Sequence, residues 1–230
     1  MNHFKKLIEY YSEIVFPVTC ACCGAPQEKK GEYLCEWCKN DRFERVYGNK
    51  TEVVPEKIEF VFSMWNFDKG GYLQGLLHDL KYNFLRGVGE ELGRFTARTF
   101  LESYRQLHEL EEANPVIIPV PLHKSKKRTR GYNQARALSR GFSQVTGWDV
   151  LDSGEVIRVR KTRTQTGLSS EDRSKNVKGA FKIAREEVLQ NRFPIIIDDV
   201  FTTGATTYEL ADVLLYVQKG KAGIVTVAKA

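Results

Sequence analysis

Long apolar runs are missing from this chain. Nowhere does it approach the ~18 consecutive apolar residues of a membrane span, so no membrane insertion is expected. Glu9 and Glu13 interrupt the apolar positions near the start, which argues against a signal peptide and for a cytoplasmic protein. Low-complexity tracts are absent as well, so disorder is not expected. Cysteine is missing from nearly the whole length: all five lie between Cys20 and Cys38. A cytosolic chain has little use for disulfides, so this cluster calls for another explanation.

What is present suffices for a real core, with 42% hydrophobic residues in 230. That length suits one sizeable domain with a small appendage, drawn here as a module over 1–50 and a main domain over 51–230. The net charge of +6 is unevenly placed. Counted by segment it is −1 over 1–60, −2 over 61–119, +9 over 120–180 and 0 over 181–230. One segment carries the whole excess, which suits a polyanion: a pyrophosphate-bearing small molecule or nucleic acid.

In the appendage, Phe4, Leu7, Ile8 and Tyr11 predict a short amphipathic helix over 2–15. Cys20-Ala-Cys22-Cys23-Gly24 and Cys35-Glu-Trp-Cys38 then offer two C-x2-C knuckles. Cys20, Cys23, Cys35 and Cys38 supply four thiolates from two tight turns, the donor set of a structural Zn²⁺ with no position open to water. Cys22 is left over. Buried or reactive free cysteines are the alternative.

Alternation from Ile58 to Met64 predicts a strand with one buried face. Leu73, Leu76, Leu77 and Leu80 predict a helix that closes at Lys81-Tyr82, and Gly89 to Tyr104 predicts another. Val116 to Ile118 reads as a buried strand, which Pro119 and Pro121 stop from continuing as a paired central strand. Lys124, Lys126, Lys127, Arg128 and Arg130 follow, and then a helix through Ala135, Leu138 and Phe142. Val150 to Val159 reads as a strand, and the polar, basic stretch from Arg160 to Phe181 as a long mobile loop of the kind that serves as a lid.

The densest chemistry lies in Ile195-Ile-Ile-Asp198-Asp199-Val-Phe-Thr202-Thr203-Gly204-Ala205-Thr206. Three β-branched residues predict a strand buried on both faces, with two carboxylates at its end. A Thr-rich loop leads into an amphipathic helix marked by Leu210, Val213, Leu214 and Val217 and stopped by Gly220. Free helix N–H groups and hydroxyls suit a phosphate, and the acids suit the hydroxyls of a polyol. The same pattern also suits an ordinary crossover with a capped helix start.

Asp198 to Thr206 resembles the phosphoribosyl-pyrophosphate (PRPP) motif of type I phosphoribosyltransferases. The resemblance implies that Asp198 and Asp199 face the ribose hydroxyls while Thr202, Thr203, Gly204, Ala205 and Thr206 wrap the 5′-phosphate. The four cysteines, Ile118-Pro-Val-Pro121-Leu122-His123, Arg130-Gly-Tyr-Asn133-Gln134, Thr164-Gln165 through Leu168, Arg173 to Asn176 and the Asp198 motif together resemble the ComF family over nearly the whole chain. Tyr132 stands where that family commonly has Phe. The implied fold is α/β: a type I phosphoribosyltransferase domain, its mostly parallel sheet flanked by helices, with an N-terminal four-Cys zinc module. The resemblance further implies a pyrophosphate cradle near Val120, Pro121, Leu122 and His123, and a loop near Arg163–Asn176 that folds over the substrate.

On that basis Asp198, Asp199 and Arg163 are the catalytic candidates, with Lys124 and Arg130 added to the PRPP-binding set and Mg²⁺ accompanying PRPP. The expected activity is transfer of ribose 5-phosphate to an unidentified acceptor in competence or DNA utilisation. Purine-salvage relatives place an acid at the position of Thr202, so no general base is evident here. The alternative is a non-catalytic accessory protein that binds single-stranded DNA or competence proteins. Single-strand binders interleave aromatics with basic residues, yet 120–180 offers only Tyr132, Phe142 and Trp148.

Overall fold

Runs of β-branched residues build the centre of the molecule. The computed structural model describes residues 18–27, 31–46, 54–161 and 170–230. The helix expected over 2–15 and the stretch 162–169, with Arg163, lie outside the described residues. After a short helix α1 (Glu36–Asn40) come β1 (Ile58–Asn66), α2 (Tyr72–Tyr82), α3 (Arg86–Ser103), α4 (Leu107–Glu112) and β2 (Pro115–Pro119). Next are α5 (Lys124–Arg130), α6 (Gln134–Thr146), β3 (Asp149–Val150), β4 (Val156–Arg158) and α7 (Ser170–Val177). The chain ends with β5 (Phe181–Ile183), β6 (Phe193–Phe201), α8 (Ala205–Gln218) and β7 (Ala222–Lys229). Five strands form one parallel sheet in the order β1-β7-β6-β2-β3, while β4 and β5 make an antiparallel ribbon.

Strand alternation divides the core in two. Ile117, Ile195, Ile197, Val225 and Val227 pack with Leu73, Leu80, Leu92, Phe100 and Leu138 of α2, α3 and α6. Val116, Ile118, Ile196 and Ile224 point to the other face, against Leu210 and Leu214 of α8 and Val156 and Phe181 of the ribbon. Side chains two apart share a face, so the central strands must be apolar at every position. The near-continuous apolar runs at 116–118 and 195–197 follow from this burial. A Cβ on Gly93 would collide with Leu138 O and one on Gly141 with Glu90 O, so these glycines permit the close approach of α3 to α6.

Several sequence expectations need correction. The strand expected over 150–159 is two short strands in different sheets, because residues 153–155 turn between them. The loop expected from Arg160 to Phe181 contains α7, a polar helix whose last carbonyls, at Lys175 and Asn176, accept from Arg160. Residues 124–130 are helical, capped by His123 at one end and by left-handed Gly131 (φ 71°) at the other. The strand expected to end before the two carboxylates runs to Phe201 and includes both. β2 stops at Pro119 as expected, yet it pairs with strands on both sides. Among the described residues no helix is long and apolar enough to cross a membrane.

Candidate functional site

Strand alternation also splits the acid pair. Asp199 continues the Ile195–Ile197 face, toward the end of α2; Asp198 continues the Ile196 face, toward the ribbon. On the first face the Lys81 ammonium forms an ion pair with Asp199 Oδ2. Burial opposes the charge on Asp199, but Lys81 outweighs it and holds this carboxyl below the usual carboxylate range. Burial likewise opposes the charge on Lys81, and Asp199 holds its pKa above the ordinary lysine value. On the second face, burial pushes Asp198 well above the usual range, and the Asp199 charge adds to the shift. Asp198 Oδ1 accepts from the Asp199 N–H at 2.9 Å. One acid is thus held ionised and its neighbour held toward neutrality, as in other close carboxylate pairs.

Cations converge on the pair from separate elements. Arg130, at the end of α5, donates to Gln134 Oε1 at 3.1 Å, lies 5.3 Å from the Tyr82 ring centroid and lowers the Asp199 pKa. Burial depresses the Arg158 pKa, partly offset by Asp198. Lys126 is depressed by burial and then by the charges of Arg158, Arg130, Lys81 and Lys161. Three cations, Lys81, Arg130 and Arg158, therefore act on the two carboxyls, and the charges of all three reach half-buried Lys126. Like charges gathered in a half-buried space repel one another, and an anion placed among them relieves that repulsion.

Beside this cluster, α8 begins without a side-chain cap, after Gly204 in the left-handed region at φ 71°. A Cβ at Gly204 would also strike the Tyr208 ring. Thr202, Thr203 and Thr206 are half-buried and Ala205 is buried. The Thr203 hydroxyl is buried with no hydrogen-bond partner among the described residues. On the neighbouring strand end, Val120 N–H donates to Ile197 O at 3.0 Å, and Asn133 Nδ2 donates to Val120 O at 3.0 Å. These bonds fix the 120–123 loop, in which Pro121 is buried and Leu122 half-buried. Nδ1 of His123 accepts from the Ser125 N–H, so this ring is engaged in capping α5, and Lys124 is exposed.

Sequence reasoning missed Lys81 and Arg158. Neither sits in a motif, and only the packing of α2 and of the ribbon against β6 brings them to the acids. Tyr132, Phe142 and Trp148, the aromatics of the basic segment, are buried and cannot stack on bases; the Tyr132 hydroxyl donates to Leu80 O.

The cysteines form a second centre. The Sγ atoms of Cys20, Cys23, Cys35 and Cys38 all lie within 4.8 Å of one another, with Cys23 and Cys35 at 3.8 Å. A tetrahedral four-thiolate shell with bonds of ~2.3 Å spaces its sulfurs ~3.8 Å apart, so the set fits a metal such as Zn²⁺. Gly24, at φ 74°, turns the first knuckle, and Cys35 caps α1. Burial raises the Cys20 thiol, but N–H groups of Cys35, Cys23 and Cys22 outweigh it and bring its pKa to about 7. Cys22 stands outside the set, pushed up to about 11 by burial. The module is joined to α3 by buried Glu91, which accepts from the Tyr33 and Leu34 N–H groups and lies 3.4 Å from Lys39 Nζ.

No protein-family model matches the chain. It is similar to competence protein F of Haemophilus influenzae, 40% identical over 116 residues, covering 48% of this chain and 48% of that protein. It is similar to DNA utilization protein YhgH of Escherichia coli K12, 35% identical over 144 residues, covering 62% and 61%. It is also similar to competence protein ComFC of Bacillus subtilis, 25% identical over 213 residues, covering 90% and 81%. The chain thus spans about half of the first relative's length and three fifths of the second's.

Proposed function

We propose that this chain, which belongs to the ComF family, binds PRPP at the C-terminal ends of β2 and β6 in a process of competence or DNA utilisation. The convergence of Lys81, Arg130 and Arg158 on the Asp198–Asp199 pair, with Lys126 beside these cations, carries the reading, since so much positive charge suits a highly charged anion. Asp198 and Asp199 would hold the ribose hydroxyls. The uncapped start of α8 and the unpartnered Thr203 hydroxyl would take the 5′-phosphate. Loop 120–123, Lys126 and Arg130 would face the pyrophosphate, while Lys124 and Arg163 remain proposed contacts from the resemblance.

In this reading the reaction is displacement of pyrophosphate at the anomeric carbon. Positive charge develops on the ribose ring, and the ionised Asp199 stabilises it while Lys81 fixes the carboxylate. Arg130 and Lys126 stabilise the departing charge. The acid pair could hold Mg²⁺ together with PRPP, and the ion would supply further neutralisation of the departing charge. The segment around α7 would exclude water from the reactive sugar. With Thr at 202 and no general base evident among the described residues, the acceptor must supply its own nucleophile or another loop must supply the base. Zn²⁺, held by Cys20, Cys23, Cys35 and Cys38, would staple the proposed 1–50 module.

The test is release of pyrophosphate from Mg-PRPP across a panel of bases and amines. Turnover with one class of acceptor supports the transferase. PRPP binding without turnover leaves a binding protein that uses the same site. No binding overturns the proposal.

A further inference from the structure

We propose a second ligand site: a cleft that takes a nucleoside phosphate, distinct from the acid pair. Its volume is about 360 Å³, within the range of about 300–1,000 Å³ usual for small-molecule pockets. It lies among α3, α5, α6 and the turn after β3, and neither Asp198, Asp199 nor residues 202–206 line it. Only Pro121 and Leu122 belong also to the loop described above. The proposal therefore does not rest on the reading of the acid pair.

Two features define the chemistry. The first is a cationic rim of Arg86, Lys127, Arg136 and Arg140. Arg136 is occupied, donating to Leu151 O at 3.0 Å and pairing with Asp152 at 3.4 Å, and Arg140 reaches Glu90 only at 4.0 Å. Arg86 and Lys127 are exposed, and neither has a carboxylate partner among the described residues. The second feature is apolar. Buried Ile118, Leu151 and Val156 form the inner wall.

Beside the cleft, against Gly131, stands Phe84, 64% exposed and held at φ 56°, a backbone region that a bulky residue rarely adopts. Its ring lies over Gly131, itself part of the cleft, where any Cβ would strike it. The Phe84 carbonyl accepts from the Arg86 N–H at 2.8 Å, a backbone bond that fixes the turn between the two residues. An inorganic anion would leave the apolar wall and the ring unused, and a lipid tail would not call for four cations. A planar base with a phosphate uses both: the base against Phe84 and the wall, the phosphate at Arg86 and Lys127. A free nucleotide and one nucleotide of a single strand present this same chemistry.

The test titrates the full chain with AMP, with a ten-residue oligo-dT, with inorganic phosphate and with a poly-glutamate peptide. AMP or the oligonucleotide should bind, with phosphate and poly-glutamate much weaker. Phe84→Ala should weaken binding roughly 5- to 100-fold, the range expected for one lost stacking contact. Arg86→Glu/Lys127→Glu should weaken it at least ~10-fold and reduce the salt dependence of oligonucleotide binding by about two phosphate contacts. Phe84 and both cations are exposed, so the variants should fold, as circular dichroism would verify. Asp198→Asn should leave this binding unchanged. Tighter oligonucleotide than AMP binding identifies a strand as the source; equal binding identifies a free nucleotide. Absence of binding, equal binding by phosphate or poly-glutamate, unaffected variants, or loss in Asp198→Asn would each overturn the proposal. The last result would move the ligand to the acid pair.

Discussion

The cysteine module and the acid pair solve the problem of holding charge in opposite ways. Four thiols come from nineteen consecutive residues, and two tight turns bring their sulfurs together. The acids are adjacent in sequence, yet their properties come from far away: Lys81 from α2, Arg130 from α5 and Arg158 from β4. A local site should fail as a unit. An assembled site should fail one partner at a time, with a different consequence for each acid.

The largest effect should follow from breaking the local site. Cys35→Ser, or removal of metal by a chelator, should cost more than about 3 kcal/mol of stability, because metal binding to four thiolates is coupled to folding. Metal analysis should find one ion per chain in the wild type and in Cys22→Ser, and none in Cys35→Ser. Asp199→Asn should come next, at about 1–3 kcal/mol by urea denaturation, since it leaves the partly buried Lys81 ammonium without its counter-charge. Glu91→Gln tests the junction of the two regions. It removes the charge facing Lys39 and one acceptor for the module's N–H groups, and should lower stability by about 1 kcal/mol in the same assay.

The smallest effect separates the two acids by pH. Asp198 binds its proton more tightly folded than unfolded, so its contribution is full below the unfolded value of about 4 and disappears as pH rises through its higher folded value. Asp199 behaves in reverse: its contribution is present above about 4 and is lost as pH falls through its lower folded value. Asp198→Asn should therefore flatten the decline of the thermal midpoint as pH rises above about 4. Asp199→Asn should flatten its decline on acidification. Identical pH profiles for the two variants would erase the asymmetry.

The same contrast explains what the sequence made legible. Knuckle spacing reports a local geometry, so the four cysteines could be named without a fold. Periodicity identified α2, α3, α6 and the start of β6, because each buries a face that must be apolar. β7 went unread although Ile224 to Val227 is a β-branched run; it is an inner strand between β1 and β6. α7 escaped because it is polar, so no apolar stripe marks it. Lys81 was invisible for a different reason. A lysine that ends an amphipathic helix resembles any solvated helix terminus until the sheet order places it beside Asp199. Spacing along a chain reveals donors that act together locally, whereas the partners that set a carboxyl's charge depend on topology.

The most direct test of the account is calorimetric titration with Mg-PRPP of the wild type and of Asp198→Asn. This substitution removes a half-buried carboxyl that is already held toward neutrality, so the fold should survive while a ribose contact is lost. The account predicts one saturable site in the wild type and at least ~10-fold weaker binding in the variant, a loss of about 1.4 kcal/mol. Equal affinity in the two proteins, or no binding to the wild type, would contradict it.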